Sequence, residues 1–375
     1  MSSRTGAINA SDATSKFSGI ALEDAEVEFG RKISPLVVVT LVAALLLLII
    51  VSFVIGRFSI SIPEIFEGIY NHLFRPETVD PYSASYVSDY GRIDAVLFSG
   101  RGPRIMVVCL VGAALAVSGA SYQGMFKNPL VSPDILGSST GASFGACLAL
   151  LLNLDYFYTM LFAFLGGMAA VGLAVLLNRI VKYDPTLGLV LGGILVSSLF
   201  SSGTSFIKLV ADGADKLPAI TFWLMGSFNR ITASSVPWWY VPVMAVGFVI
   251  LIIMARRLNV LSFGDEEARA MGINTRSTRL LVIFASTLLA SLSVAVAGVI
   301  GYVGLVVPHL ARAIVGPNYK VLLPTSMFVG ASFLLVIDNI ARVAMPVEIP
   351  IGILTAIVGV PFFVVIFRSQ MRGWR

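Results

Sequence analysis

The chain has 375 residues, of which 57% are hydrophobic and only 13% are charged, and its formal net charge is +5. A soluble domain carries about 25% charged residues, so this composition leaves too few charges to cover a soluble globule of this size. The hydrophobicity excludes an intrinsically disordered chain, and the presence of only 2 cysteines excludes a disulfide-rich secreted scaffold. A polytopic membrane protein remains, in which long apolar runs cross the bilayer.

Runs of about 20 residues without Asp, Glu, Lys or Arg predict the membrane-spanning helices. Those with the length of one span are Ile33–Gly56, Ile105–Phe126, Ile135–Leu154, Tyr156–Asn178, Pro185–Ile207, Ile231–Ala255, Val321–Ile337 and Ile349–Phe367. The run Leu280–Ala311 is too long for one span, and we divide it near the glycines of Val299–Gly301. We therefore predict an all-α fold with about ten spans. Nine or eleven stay open, because the interruption could be a re-entrant turn.

The distribution of Lys and Arg predicts the orientation. An even number of spans places both termini on one side, and the connections on that side contain more Lys and Arg than the others do. The first apolar run is longer than the roughly 7–15 residues of a signal-peptide core. We expect a cytoplasmic tail over residues 1–32 and a transmembrane domain over residues 33–375, with both termini in the cytoplasm of a prokaryote and the spans in its inner membrane.

Two outer connections contain apolar stretches that are too short to span. Pro63 predicts the start of a short interfacial helix in the connection 58–100, because proline suits the first turn of a helix. The connection Lys208–Arg230 contains an apolar stretch around Trp223, which fits a helix lying at the membrane interface.

One inner connection, Arg256–Arg279, stands out for its length and charge. Its residues 261–272 read L-S-F-G-D-E-E-A-R-A-M-G. The acidic residues 265–267 suit the first turn of a helix, where the helix dipole favours negative charge, and Gly272 suits its end. Ala268 and Met271 are three residues apart, so we expect them to share an apolar face. Such a segment is either a solvated connector or a short helix that docks in a groove of a soluble partner.

An enzyme finds little support in the sequence. The chain lacks the G-x-x-x-x-G-K-[ST] phosphate-binding loop, and its 2 histidines, His72 and His309, do not form a metal-binding pattern. Gly137, Gly141 and Gly145 recur at every fourth position, a spacing that places them on one helix face and predicts close packing of another helix there.

Five short motifs, in order along residues 101–352, together resemble the permeases of type II ABC importers, the FecCD-type family that carries iron-siderophores, haem and vitamin B12. They are R-G-P-R at 101–104, the stretch from Gln123 to Gly137 with N-P-L at 128–130, G-Y-V-G-L-V-V-P-H-L-A-R at 301–312, D-N-I-A-R at 338–342 and E-I-P-I-G at 348–352. One departure is Gly102, where the family usually has leucine, and this change is expected to loosen that helix end.

The resemblance implies ten helices per subunit and a homodimer, although pairing with a paralogue stays open. It implies two ATPase subunits that bind below, an extracytoplasmic substrate-binding protein that docks outside, and no nucleic acid partner. ATP and magnesium would be bound by the ATPases, so no cofactor is expected in this chain. Membrane lipid is a further expected partner.

The resemblance also implies roles for individual residues. Arg101, Arg104 and Arg342 match arginines that dock acidic residues of the binding protein, and Asp338 is spaced to form an ion pair with Arg342. The implied cytoplasmic gate consists of Asn128, Leu130, Thr186 and Leu187. The implied contacts with the ATPase are Gly264, Asp265, Glu266, Ala268, Met271 and Gly272.

We therefore expect the permease subunit of an ATP-driven importer, with ferric siderophores favoured because they are the broadest substrate class of the family. Haem or cobalamin import is the alternative within the family. An ion-coupled secondary transporter is the alternative from another class, and it would require intramembrane carboxylates and broken helices in two matching halves. Dependence of uptake on ATP distinguishes the two classes.

Overall fold

The computed structural model describes residues 34–56, 60–74, 91–180 and 185–372. Within these ranges the chain is built from helices joined by short connections. The helices are α1 Pro35–Val54, α2 Ile62–Leu73, α3 Gly91–Asp94, α4 Gly102–Phe126, α5 Ser138–Leu151, α6 Tyr156–Ile180, α7 Pro185–Val210, α8 Lys216–Leu224, α9 Tyr240–Leu261, α10 Asp265–Ala270, α11 Thr275–Ala297, α12 Val303–Val315, α13 Tyr319–Val343 and α14 Ile351–Arg372. A π-helical stretch, Ala95–Arg101, joins α3 to α4.

The helices confirm the predicted all-α membrane fold. In the described part of the chain, 7 helices are long and apolar enough to cross a membrane, and α5, α12 and α14 are shorter apolar helices. Together they correspond to the ten predicted runs. The two short helices predicted outside the spans are present as α2 and α8. The predicted tail 1–32 lies outside the described residues.

Helices α4 and α11 form the centre of the bundle. In each of them 83% of the apolar span is buried, compared with 6% for α1 and 28% for α7. A helix that is apolar on all sides and buried on all sides belongs in a core, whereas exposed apolar faces suit contact with lipid or with another subunit. The bundle is therefore layered, with α4 and α11 inside and α1 and α7 outside.

Close contacts between backbones hold α4 in the centre. A side chain on Gly119 would overlap the carbonyl group of Gly304 in α12, and one on Gly112 would overlap that of Gly330 in α13. Apolar helices gain no hydrophobic energy by leaving lipid, so small residues that allow dense packing provide much of their association. These two contacts fix α4 against α12 and α13.

Helices α5 and α6 approach each other in the same way. A side chain on Gly141 would overlap the carbonyl oxygen of Gly166, and one on Gly145 would overlap that of Phe162. Gly137 differs from the two later glycines, because it precedes α5 with φ of 86° and lies beside Ser197 of α7. The three glycines therefore do not lie on one helix face as we predicted, since Gly137 is the turn residue that starts the helix.

The interruption predicted at Val299–Gly301 separates two helices. Helix α11 ends at Ala297, the next residue, Gly298, has a φ of 73°, and α12 begins at Val303. The backbone N–H of Ser227 donates to the carbonyl of Ala297 at 2.7 Å, and that of Ile351 donates to Gly226 at 2.9 Å. The chain at the ends of α8, α11 and at the start of α14 thereby forms hydrogen bonds between its own backbone groups. Non-helical backbone at membrane depth requires such partners, because lipid offers none.

The bundle has two ends with different chemistry. Arg104 lies near the start of α4 and meets Asp338 near the far end of α13, so we call this the Arg104 end. Gln123 lies near the other end of α4, about 28 Å away at 1.5 Å per residue, and borders a cleft with Ser262 of the 261–272 segment. We call this the Gly264 end. The distance matches the roughly 30 Å thickness of a hydrocarbon core.

We predict that Gly119→Ala destabilises the protein, because the added carbon meets the backbone of Gly304 and overpacking of this kind costs about 1–3 kcal/mol. The measurement is thermal unfolding of the purified protein in detergent. Gly172→Ala in α6 is the matched control, since a side chain there meets nothing within 4 Å. Equal unfolding temperatures for the two variants would contradict the close contact.

Candidate functional site

A buried ion-pair cluster occupies the Arg104 end. Arg104 Nη2 lies 2.8 Å from Asp338 Oδ1 and 3.0 Å from Glu348 Oε2, while Nη1 donates to Glu348 Oε1 at 3.1 Å. Asp338 is completely buried, and Arg104 is 8% exposed. One guanidinium thus binds two carboxylates, one from α13 and one from the connection to α14. This contact ties the second, ninth and tenth spans together.

Two further arginines border the same cluster. Arg342 Nε lies 3.2 Å from Asp338 Oδ2 and forms an ion pair with it, although Nε makes no hydrogen bond. The predicted i, i+4 ion pair is therefore present. The guanidinium of Arg342 also donates to the carbonyl of Ser52 at 3.3 Å and to the side chain of Asn339. Arg101 donates to the carbonyl of Phe53. Both arginines therefore hold the end of α1.

The three arginines that the resemblance implies for docking come together here, but they are not surface residues. Arg101, Arg104 and Arg342 are 7%, 8% and 5% exposed in the protomer. Arg104 pairs with Asp338 and Glu348, and Arg342 pairs with Asp338. A partner carboxylate would reach these buried arginines only after desolvation. Sequence spacing shows the Asp338–Arg342 pair but not the role of Arg104.

The predicted gate residues lie at the opposite end. Asn128 Oδ1 accepts a hydrogen bond from the backbone N–H of Leu130 at 2.9 Å, which folds the loop after α4 into a tight turn. Leu130 and Leu187 are 43% and 55% exposed, and Thr186 is half-buried. The two leucines are the kind of apolar side chains that could meet symmetry-related copies.

Residues 127–132, between α4 and Pro133, contain the predicted gate residues Asn128 and Leu130, and we call them the gate loop. Asp134 anchors this loop to the start of α5. Its carboxylate accepts a hydrogen bond from the hydroxyl of Ser139. Burial raises the pKa of Asp134, while the hydrogen bonds from Ser139 and Ser138 oppose that rise. The pattern of apolar runs gave no indication of this contact, although a carboxylate shortly before a helix is a recognisable sign of a cap.

The 261–272 segment is a helical turn clamped to the bundle on one side. Asp265 Oδ1 accepts from Arg279 Nη2 of α11 at 2.8 Å, and the side chains are 27% and 9% exposed. Ala268 is completely buried. The carboxylate of Glu267 folds back over Gly264, whose φ of 153° leaves the space for it. The turn is therefore held in one orientation relative to α11.

The far side of the same segment is exposed. Met271 is 64% exposed and Glu266 is also exposed. Our prediction that Ala268 and Met271 form one shared apolar face is wrong, because Ala268 is completely buried against its own protein whereas Met271, the last residue before the turn at Gly272, is exposed. Ala268 packs the segment against the rest of this chain, whereas Met271 is exposed and can contact another protein.

Amide side chains join the remaining helices at the Gly264 end, and sequence reasoning missed them. Asn259 Nδ2 donates to Asn318 Oδ1 at 2.8 Å, and Asn259 Oδ1 accepts from the backbone of Tyr319 at 2.7 Å. Arg312 donates to Gln123 Oε1 at 3.3 Å. These residues fall at the ends of predicted spans, and isolated polar residues at such positions were the only signal that could have found them.

The geometry defines an all-helical, multi-pass membrane transport protein with distinct contact regions at its two ends. The chain belongs to the FecCD transport family, whose model matches residues 44–369. Its relatives are transporter permease subunits and not enzymes, and ATP hydrolysis in this family belongs to a separate subunit. The chain is therefore an ABC importer permease, which excludes the ion-coupled secondary transporter that the sequence left open.

Individual relatives differ in what they carry. The molybdate import system permease protein MolB of Haemophilus influenzae is 38% identical over 339 residues, 90% of this chain and 97% of that protein. The Fe(3+)-citrate import system permease protein YfmE of Bacillus subtilis is 36% identical over 278 residues, 72% and 81% of the two chains. A solved metal-chelate-type ABC transporter in an inward-facing conformation is 36% identical with a TM-score of 0.77, covering 90% of this chain and 100% of that one.

We predict that Arg104→Gln lowers the free energy of unfolding by about 3–5 kcal/mol, because it leaves the buried Asp338 and Glu348 without their shared partner. Glu348→Gln is expected to cost less, since its side chain is 17% exposed and its loss leaves Asp338 paired. Thermal unfolding in detergent measures both. Arg230→Gln is the control, because Arg230 is exposed; an effect of Arg104→Gln no larger than this control would refute the ion-pair assignment.

Proposed function

We propose that the chain forms a homodimeric permease that imports ferric siderophores across the cytoplasmic membrane. Two separate ATPase subunits, which bind ATP and magnesium, drive it, and an extracytoplasmic binding protein delivers the substrate. Both termini lie in the cytoplasm. The observation that carries the proposal is the segment 264–272, which is clamped to α11 through Asp265 and Arg279 yet exposes Glu266 and Met271. A helix fixed on one side and exposed on the other can transmit the movement of a soluble partner.

The mechanism follows from the two ends of the bundle. In the proposed orientation the Gly264 end faces the ATPases, so a push on Met271 reaches α11 through the Asp265–Arg279 contact. The gate loop with Asn128 and Leu130 lies at that same end and opens or closes with the packing of the helices. Dense packing favours two discrete arrangements over a continuous range, and ATP shifts the population between them only through different contacts in the two states.

Docking of the binding protein is proposed for the Arg104 end. Arginine suits bidentate recognition of a carboxylate, and the family resemblance implies this role for Arg101, Arg104 and Arg342. All three are buried in the protomer, and Arg104 and Arg342 already bind Asp338, so docking requires these contacts to rearrange. Docking is therefore assigned to the three arginines together.

Molybdate is the second candidate substrate, favoured by one specific observation. MolB matches this chain over 97% of its own length, whereas YfmE matches over 81% of its length. Haem and cobalamin remain alternatives through the family resemblance. Ferric siderophores, haem and cobalamin are large and need a wide path that binds them weakly, whereas molybdate is a small oxyanion. For all four, we assign selection mainly to the binding protein.

Uptake by cells with and without the gene tests the substrate. The probes are labelled iron in several ferric siderophores and in haem, labelled cobalamin, and labelled molybdate, each with and without depletion of ATP. We expect deletion to remove an ATP-dependent signal for ferric siderophores. Loss of the molybdate signal alone would replace the substrate and keep the importer, whereas uptake that ignores ATP and follows a proton gradient would refute the proposal as a whole.

We further predict that Arg279→Gln uncouples the reconstituted transporter. The change frees Asp265 and removes a charge-assisted hydrogen bond worth about 1.5 kcal/mol or more, so substrate moved per ATP hydrolysed should fall roughly tenfold. The measurement compares transport with ATPase activity in proteoliposomes that contain the permease and its ATPase subunits. Arg276→Gln is the matched control, because Arg276 is exposed on the same helix. Equal coupling in both variants would remove the segment from the mechanism.

A further inference from the structure

A cationic cleft of about 250 Å³ lies at the Gly264 end, beside the gate loop. Its walls come from the end of α4, the gate loop, the end of α9, the end of α12 and the start of α13. The side chains that matter are those of Lys127, Arg312, Gln123, Asn128, Ser262 and Tyr319. One water occupies roughly 30 Å³ in the liquid, so the cleft has room for a ligand several times larger than water.

The charge of the cleft is positive and uncompensated. Lys127 and Arg312 line it, and none of its lining residues is acidic. Within the described ranges, the ion pairs at the Gly264 end use Asp265 and Arg279 and leave Lys127 and Arg312 without a carboxylate within 4 Å. Arg312 donates instead to the neutral oxygen of Gln123 at 3.3 Å. Two cations that face one cleft repel each other, and an anion between them removes that repulsion.

The remaining groups suit an oxyanion. Asn128 uses its Oδ1 to accept from Leu130, which leaves the amide N–H donors of its side chain for a ligand. Lysine offers three N–H donors, and the planar guanidinium of arginine matches phosphate in a bidentate manner. The hydroxyl of Tyr319 extends over Gly124, where a side chain would displace it. The cleft thus combines two charged donors with neutral polar groups.

We propose that this cleft binds a phosphate-type oxyanion, supplied either by an anionic lipid headgroup at the membrane surface or by free phosphate in the cytoplasm. A bound oxyanion bridges Lys127, at the start of the gate loop, to Arg312 of α12. It therefore holds the gate loop against α12 next to the segment that receives the ATPase movement. Binding of the oxyanion is independent of the proposed substrate and partners, whereas its effect on the gate rests on the proposed function.

The first arm of the test uses free phosphate. Full-length permease is purified in a neutral detergent, and its unfolding temperature is followed while inorganic phosphate replaces chloride at constant ionic strength. A ligand that binds only the folded state raises this temperature. We expect a saturable rise for the wild type and an apparent affinity about tenfold weaker for Lys127→Gln and for Arg312→Gln, because each loses a charge-assisted contact.

Lys320→Gln is the matched control, since Lys320 is exposed next to Tyr319 but does not line the cleft. It should leave the phosphate response unchanged. If Arg312→Gln does not fold, Lys127→Gln still decides, because Lys127 is exposed. No saturable rise in the wild type, or the same rise in Lys127→Gln, counts against free phosphate as the ligand.

The second arm tests the lipid source. The same proteins are placed in nanodiscs of phosphatidylcholine with or without phosphatidylglycerol, and lipids retained after extraction are counted by native mass spectrometry. Retention of phosphatidylglycerol by the wild type and by Lys320→Gln, but not by Lys127→Gln, supports the lipid headgroup. If neither arm separates Lys127→Gln from the wild type, the cleft is not an oxyanion site. The uptake experiment above would be unaffected by that result.

Discussion

Asp338 is completely buried, and the effective cost of burying one ion is several kcal/mol unless a partner is placed against it. Arg104 and Arg342 provide that partner from two helices, and Glu348 shares Arg104 from the connection to α14. The requirement to keep these charges together fixes α4, α13 and the start of α14 relative to one another. It also fixes α1, whose last carbonyls accept from Arg101 and Arg342.

The Gly264 end is held by contacts of another kind. Neutral amides join α9 to α13 through Asn259 and Asn318, and the charged contact there, between Asp265 and Arg279, lies nearer the surface. Hydrogen bonds between neutral groups are exchanged at lower cost than buried ion pairs are broken. The contacts at the Gly264 end are therefore the easier ones to rearrange, which agrees with the gate proposed there. Helix α4 extends between the two ends and carries Arg104 and Gln123 on one rigid element.

Much of the fold could be predicted from the sequence, because the membrane reduces the problem to finding apolar runs. The ten spans and the interruption near Val299–Gly301 required only hydropathy and the knowledge that glycine breaks a helix. The contact of Arg104 with Asp338 joins residues 234 positions apart, and no local pattern shows which distant carboxylate an arginine meets. The packing of Gly119 on Gly304 could not be predicted from the sequence for the same reason. For Met271, helical spacing could not show that Ala268 packs against its own protein while Met271 stays exposed.

The order of synthesis determines when the contact of Arg104 with Asp338 and Glu348 can form. A chain is made from its N-terminus, so the second span is complete long before residues 338 and 348 exist. During that interval Arg104 has neither carboxylate, and a long cationic side chain near a helix end then extends towards the lipid headgroups. Once the ninth span arrives, the guanidinium can leave the interface and enter the bundle. Closure of this end is thus among the last steps in the biogenesis of the protein, and a chain truncated before residue 338 leaves Arg104 without either carboxylate.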